Sequence, residues 1–357
     1  MGVLSTKKGY VLLGSLGGLL MAILAWNGNP ANMALCVACF IRDMAGSLKL
    51  HNAAVVQYFR PEIIGLIIGA FIISKVSGEF QATGSGSTPI RFLLGMIMMI
   101  CALVFLGCPL RMVLRMAAGD GSAYVGLVGF LGGLGTGTFF LKRGFTLGEE
   151  VKTERAIHGY VFPITMALIM ITVMIWAWPV ASVKGPGSMH AAVALSLGVG
   201  ILFGCIAQKT RMCFSGAFRN AMAFGDFTRL GTVIGLFIIM VLYNVMTGHF
   251  KMAAFGPIAH GDMLWNILSM YGVGLAATLA GGCPLRHVIL AGTGSGDSVV
   301  TVLGLVVGAA IAHNFGLAAT AGVVGQTVGG PSVFGQGAVI VSIVALFIIG
   351  FAGRVRN

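Results

Sequence analysis

Charge is what this sequence has least of. Only 9% of its 357 residues are Asp, Glu, Lys or Arg, against roughly 25% in soluble domains. Such a chain cannot coat a water-soluble globule. The composition therefore excludes a soluble enzyme, a nucleic-acid-binding domain and a disordered protein. Acid is scarcer than base: ten Asp and Glu stand against 22 Lys and Arg, a net charge of +12. In so apolar a chain the excess points to membrane orientation and an anionic substrate, with no nucleic acid. Seven cysteines in mostly apolar surroundings are too few and too odd in number for a disulfide framework. No Ser-His-Asp order, P-loop or dinucleotide fingerprint is present. Cys36-x-x-Cys39 has neither a second such pair nor a His cluster beside it, so neither a metal nor a cofactor is expected. What remains is 57% apolar residues and 55 glycines, the material of an all-α polytopic membrane protein with close helix contacts and breaks.

Stretches of ~20 mainly apolar residues can cross a bilayer. Ten fall near 9–27, 61–78, 89–107, 122–141, 159–179, 189–206, 229–247, 262–281, 298–317 and 334–353. The first follows Lys7 and Lys8 as a signal peptide would, but its length and lack of a cleavage site read as a true span. Gly14/Gly18 and Gly129/Gly133 have small-residue spacing. Lys142–Arg155 reads as a solvated loop. Four segments are apolar enough to dip into a membrane and too short to cross it: Cys36–Ser47, Gly107–Gly119, Lys209–Asp226 and Gly282–Gly296. Each carries Cys and Arg.

The chain repeats itself. Gly107-Cys108-Pro109-Leu110-Arg111 recurs 175 residues later as Gly282-Cys283-Pro284-Leu285-Arg286. Cys36 with Arg42-Asp43 recurs 177 residues later as Cys213 with Arg219-Asn220. The repeats divide the chain at 1–180 and 181–357, with five spans each. An odd number reverses the second half in the membrane, the plan of inverted-repeat transporters. With the N-terminus inside, inner loops collect Lys7, Lys8, Lys75, Arg91, Lys142, Arg143, Lys152, Arg155, Arg229, Arg354 and Arg356. Outer loops collect Lys49, Arg60, Lys184 and Lys251. Eleven against four places both termini in the cytoplasm. The four Cys/Arg segments then enter as two re-entrant pairs from opposite sides, forming an hourglass.

A Gly-Cys-Pro turn breaks a helix and opens a short one, whose free N–H groups and positive dipole end face the Cys. Intramembrane Arg faces a pathway or a partner. The substrate-path candidates are Cys36, Arg42, Cys108, Arg111, Cys213, Arg219, Cys283 and Arg286. The competing reading for the arginines is internal pairing with Asp43, Asp120, Asp226 or Asp297, or with carbonyls. Cys101 and Cys205 read as packing. His287 either lines the inner funnel or packs. Thiols suit a soft anion ending in sulfur or selenium; a hard oxyanion is better served by N–H, hydroxyl and Arg. A ladder of weak sites permits conduction.

These residues resemble the YeeE/YedE family of sulfur-transport membrane proteins. The resemblance is carried by Arg211-Met212-Cys213-Phe214, Ala217-Phe218-Arg219 and Ala280-Gly281-Gly282-Cys283. It implies an hourglass-shaped inner-membrane protein that takes up thiosulfate past motif cysteines, Cys36, Cys108 and Cys283 first among them and Cys213 at the fourth equivalent position. The Gly-Cys-Pro-Leu-Arg form leans toward the family's selenium-metabolism branch. A cytoplasmic sulfurtransferase-like partner would be a separate protein. The expectation is a transporter or channel that binds the anion without covalent turnover, and not an enzyme. The alternative is a membrane thiol enzyme forming persulfide or selenosulfide intermediates.

Overall fold

The computed structural model describes residues 6–354; Arg356, counted above among the inner charges, lies outside them. Fourteen α-helices carry the described fold. Ten are long: α1 (Lys7–Trp26), α3 (Pro61–Val76), α4 (Thr88–Val104), α6 (Gly121–Lys142), α7 (Ile157–Trp176), α8 (Val193–Lys209), α10 (Leu230–Met246), α11 (Met263–Ala280), α13 (Gly296–Asn314) and α14 (Val333–Ala352). They coincide within a few residues with the ten apolar stretches. Four are short: α2 (Val37–Ser47), α5 (Pro109–Met116), α9 (Phe214–Phe224) and α12 (Pro284–Gly292). Each lies within one of the four Cys/Arg segments. Eight helical stretches are long and apolar enough to cross a membrane, which makes this a multi-pass helical membrane protein. Among the described residues the only strands are the two-residue pair β1 (Thr83–Gly84) and β2 (Val151–Lys152), antiparallel to each other. They tie the start of α4 to the charged loop, and Glu150 of that loop accepts from Thr83 and Ser295.

The long helices pair across the midpoint of the chain. α1 lies along α10 and α3 along α8; α4 lies along α13 and α6 along α11. Each pair takes one helix from either half, and the first pairing in each set mirrors the second. Glycine makes these crossings close. A Cβ at Gly14 or Gly18 would run into Thr232 or Leu236 of α10, and one at Gly129 or Gly133 into Ile267 or Tyr271 of α11. α7 and α14 break the correspondence. α7 packs on α3, whereas α14 packs on α11 and α4. Pro163 sits inside α7, where it removes a backbone hydrogen bond.

Two loops complete the exchange between halves. The segment between α10 and α11 lies along the α5–α6 junction: Lys251 N–H donates to Ala118 (3.0 Å), and Gly121 N–H to Ala253 (2.9 Å). The segment between α3 and α4 lies along the α12–α13 junction: Gln81 N–H donates to Thr293 (3.3 Å), and Thr83 N–H to Gly294 (3.2 Å). Two of the charges counted as loop residues are not free. Arg60 is fully buried on Asp43, and Arg91 is buried on Asp297.

Candidate functional site

Each of the four repeated cysteines is the N-cap of a short helix: Cys36 of α2, Cys108 of α5, Cys213 of α9 and Cys283 of α12. Pro109 and Pro284 follow two of them at the first helical position, where a missing N–H costs nothing. The other two thiols do the work of a capping oxygen. Cys36 Sγ accepts from Cys39 N–H at 3.4 Å, and Cys213 Sγ accepts from Gly216 N–H at 3.3 Å. In this position each sulfur sits at the positive end of a helix dipole, facing first-turn N–H groups that have no partner within the helix.

The four cysteines are brought together as two pairs. Cys36 Sγ is 3.8 Å from Cys108 Sγ, and Cys213 Sγ is 3.9 Å from Cys283 Sγ. Each pair joins a capping thiol to a non-capping one, and all four are buried and free. Cys213 also lies 3.1 Å from Ser215 Oγ. Cys39 sits beside the first pair, 3.8 Å from Arg111 Nη1. Cys101 and Cys205 lie apart: Cys101 packs over Gly272, and Cys205 donates to Gly69 carbonyl at 3.3 Å.

The arginines divide. Arg42 is buried and bound to its neighbour Asp43 at 2.6 Å. Asp43 also holds Arg60 at 2.8 Å, so one carboxylate serves two guanidiniums. Arg111 is fully buried among carbonyls: it donates to Leu106, to Asn32 (3.3 Å) and to Ile258 (3.0 Å). Behind it, Arg115 is spent on Asp120 (2.7 Å), Phe105 carbonyl (2.8 Å) and Ser122 (2.6 Å). Arg286 occupies the place of Arg111 in the second pentapeptide, yet its hydrogen bond is to Gln208 Oε1, at 3.2 Å. Arg219 is half-buried and lines a cavity of about 160 Å³ with Thr138, Lys142 and Met222. Of the four aspartates named as partners, Asp43, Asp120 and Asp297 are used, the last two by Arg115 and Arg91. Exposed Asp226 caps its own turn through Thr228 N–H at 3.0 Å. His287 is buried, 3.4 Å from Ser298 Oγ.

Sequence reasoning passed over Gln208 and Glu79. Gln208 Nε2 donates to Glu79 Oε2 at 3.1 Å, and Glu79 Oε1 lies 3.6 Å from Arg211. The signal available was scarcity. With ten acids in the chain, an isolated one such as Glu79 calls for a partner, and Arg211 stands beside a motif cysteine.

The site can attract an anion through helix N-termini and guanidinium, and meet it with thiols. No group of three or more His, Cys, Asp or Glu suited to a metal ion occurs among the described residues. The fold and the site together define a multi-pass helical membrane protein with paired buried thiols. Residues 209–356, most of its second half, match the family model described as sulphur transport. No curated protein matches the chain at significant similarity.

Proposed function

We propose that this protein transports, or conducts, a small sulfur- or selenium-containing anion of the thiosulfate kind across the cell membrane. The observation that carries the reading is the pair of buried two-thiol sites, Cys36–Cys108 and Cys213–Cys283, each set at the N-termini of two short helices. Helix N-termini draw negative charge. Thiols are weak donors, so they can hold a soft terminal atom and still release it. The match of residues 209–356 to the sulphur-transport family supports the same reading.

In this proposal residues 1–180 and 181–357 are inverted repeats of five spans each. The four short helices enter the bilayer part-way as re-entrant segments, and the two thiol pairs lie on opposite arms of an hourglass. The reciprocal pairing of α1 with α10 and of α3 with α8 favours this arrangement. Both termini then face the cytoplasm, and the membrane is the inner, or plasma, membrane. A separate sulfurtransferase-like protein would receive the anion inside.

Uptake of labelled thiosulfate and selenite by purified protein in liposomes tests the reading. Cys108→Ala and Cys283→Ala should each abolish uptake while leaving folded protein in the membrane; normal uptake by both variants would sink it. Sulfurs less than 4 Å apart also suit a dithiol enzyme that passes through a persulfide or selenosulfide. Intact mass after turnover separates the two, because transport without covalent turnover leaves no adduct.

A further inference from the structure

The repeated pentapeptide ends in two arginines with different surroundings. Arg111 has its donors spent on carbonyls of the chain. Arg286 makes one hydrogen bond, to an amide oxygen. The amide belongs to Gln208, whose nitrogen donates in turn to Glu79. Glu79 is carried by the segment between α3 and α4, so it comes from the other half of the chain, and its second oxygen faces Arg211. Arg211 directly precedes Met212 and Cys213, with its backbone in the left-handed region at φ 52°. That conformation closes the C-terminus of α8, with Arg211 N–H donating to Gln208 carbonyl (3.1 Å) and Met212 N–H to Ala207 carbonyl (2.8 Å).

Charge decides what this cluster is for. Arg211 and Arg229 are both near enough to oppose the charge of Arg286, which also feels Cys213 and Cys283. Glu79 is the carboxylate that faces Arg211 and Gln208. It is a weak occupant: the Glu79–Arg211 pair is 3.6 Å apart and its side chains are 32% and 49% exposed. A pair so placed is screened by solvent and weak. A small divalent oxyanion brings twice the charge and several acceptor oxygens to the same donors.

We infer that Arg211, Arg286 and Gln208 form an anion-binding site at the entrance to the Cys213–Cys283 pair, and that Glu79 is a tethered carboxylate occupying it until a sulfur oxyanion displaces it. This rests on the transport reading for its ligand class. The oxyanion end would take over the donors that Glu79 now holds, leaving its soft terminal atom to the thiols. Arg111, bound to carbonyls, offers no equivalent at the Cys36–Cys108 pair. The site therefore gives the two ends of the path different affinities.

The test is equilibrium dialysis of the purified full-length protein against labelled thiosulfate and labelled sulfate, alongside liposome uptake. Glu79→Gln removes the competing charge and should tighten binding of both anions roughly two- to fivefold. Glu79→Ser should do the same, which guards against a defect particular to one variant. Arg211→Gln should weaken binding by a similar factor. Unchanged binding in both Glu79 variants overturns the inference, as does absence of binding in every form. If dialysis shifts as expected and no form transports, the site stands and the transport reading fails. If the unaltered protein transports and the Glu79 variants bind as it does, the site fails and transport stands.

Discussion

The two copies of Gly-Cys-Pro-Leu-Arg are the same five residues put to different uses. Both open a short helix behind a Cys N-cap, and both place that Cys within 4 Å of a second thiol. They part at the arginine. Arg111 is sealed by carbonyls from three separate segments, at Asn32, Leu106 and Ile258. Asn32 adds its own hydrogen bond to Pro257 carbonyl, at 2.5 Å. Arg286 keeps one hydrogen bond and sits among other cations. One arginine is a clasp; the other is left with donors to spare. A buried guanidinium commits to whichever acceptors the neighbouring loops present. The loop between α10 and α11 presents a backbone carbonyl to Arg111; the loop between α3 and α4 presents a carboxylate to Gln208 and Arg211.

The largest expected effect separates the clasp from the open arginine. Arg111→Gln strips three buried carbonyls of their donor. Breaking a buried charged network costs about 3–5 kcal/mol, so the variant should be lost from the folded, monodisperse fraction on size-exclusion chromatography. Arg286→Gln should elute as the unaltered protein does and fail in uptake. Equal yields and equal uptake for the two variants would erase the distinction.

Asp43→Asn comes next. It leaves Arg42 and Arg60 without their shared carboxylate in a buried place. A loss of about 3 kcal/mol follows, seen as a lowered melting temperature in detergent. Asp226→Asn, on an exposed turn, should stay within about 0.5 kcal/mol.

Acid should loosen one cover and spare the other. His260 lies on the segment between α10 and α11, its Nε2 donating to Val104 carbonyl, 2.9 Å away, with Arg115, Asp120 and Asp262 around it. Burial lowers its pKa from 6.5 to about 4. The folded state therefore favours the neutral ring. The unfolded chain takes up the proton first as pH falls, so stability is full above pH 6.5 and declines between 6.5 and about 4. The loss is up to about 3 kcal/mol. The segment between α3 and α4 contains no histidine. Hydrogen exchange at pH 7 and pH 5, taken as protection relative to the intrinsic rate at each pH, should show lower protection at pH 5 around Lys251–Ala253 and little change around Gln81–Thr83. His260→Gln should flatten the difference.

A smaller effect concerns the residue two before each motif cysteine. Leu106 and Gly281 are equivalent by the repeat and both have positive φ, 62° and 88°. Gly281→Ala should cost about 1–2 kcal/mol, read as a modest drop in melting temperature with uptake retained.

Much of this was legible in the sequence. Ten apolar stretches became the ten long helices, because a membrane interior tolerates little else. The repeat marked the four cysteines that cap the short helices. What the sequence could not convey was partnership. The paired thiols are about 70 residues apart within each half, and nothing in local pattern says that Cys36 meets Cys108. Identical pentapeptides could not announce that Arg111 would be sealed and Arg286 left open, since the acceptors lie outside the motif, at Asn32, Ile258 and Gln208. Arg42 read as a path residue, yet its guanidinium is taken by Asp43 next door. Glu79 and Gln208 belong to no motif, so only the fold brings them to the thiols.

The crossed pairing of helices bears on how the chain is made. α1 finds its partner in α10, more than 200 residues later, and α3 must wait for α8. During synthesis the first half enters the bilayer with its glycine-lined faces turned to lipid, unable to close until the second half arrives. Interruption near the midpoint should leave a bundle that neither packs nor survives proteolysis. The same two fragments, produced together, hold complementary faces and should reassemble.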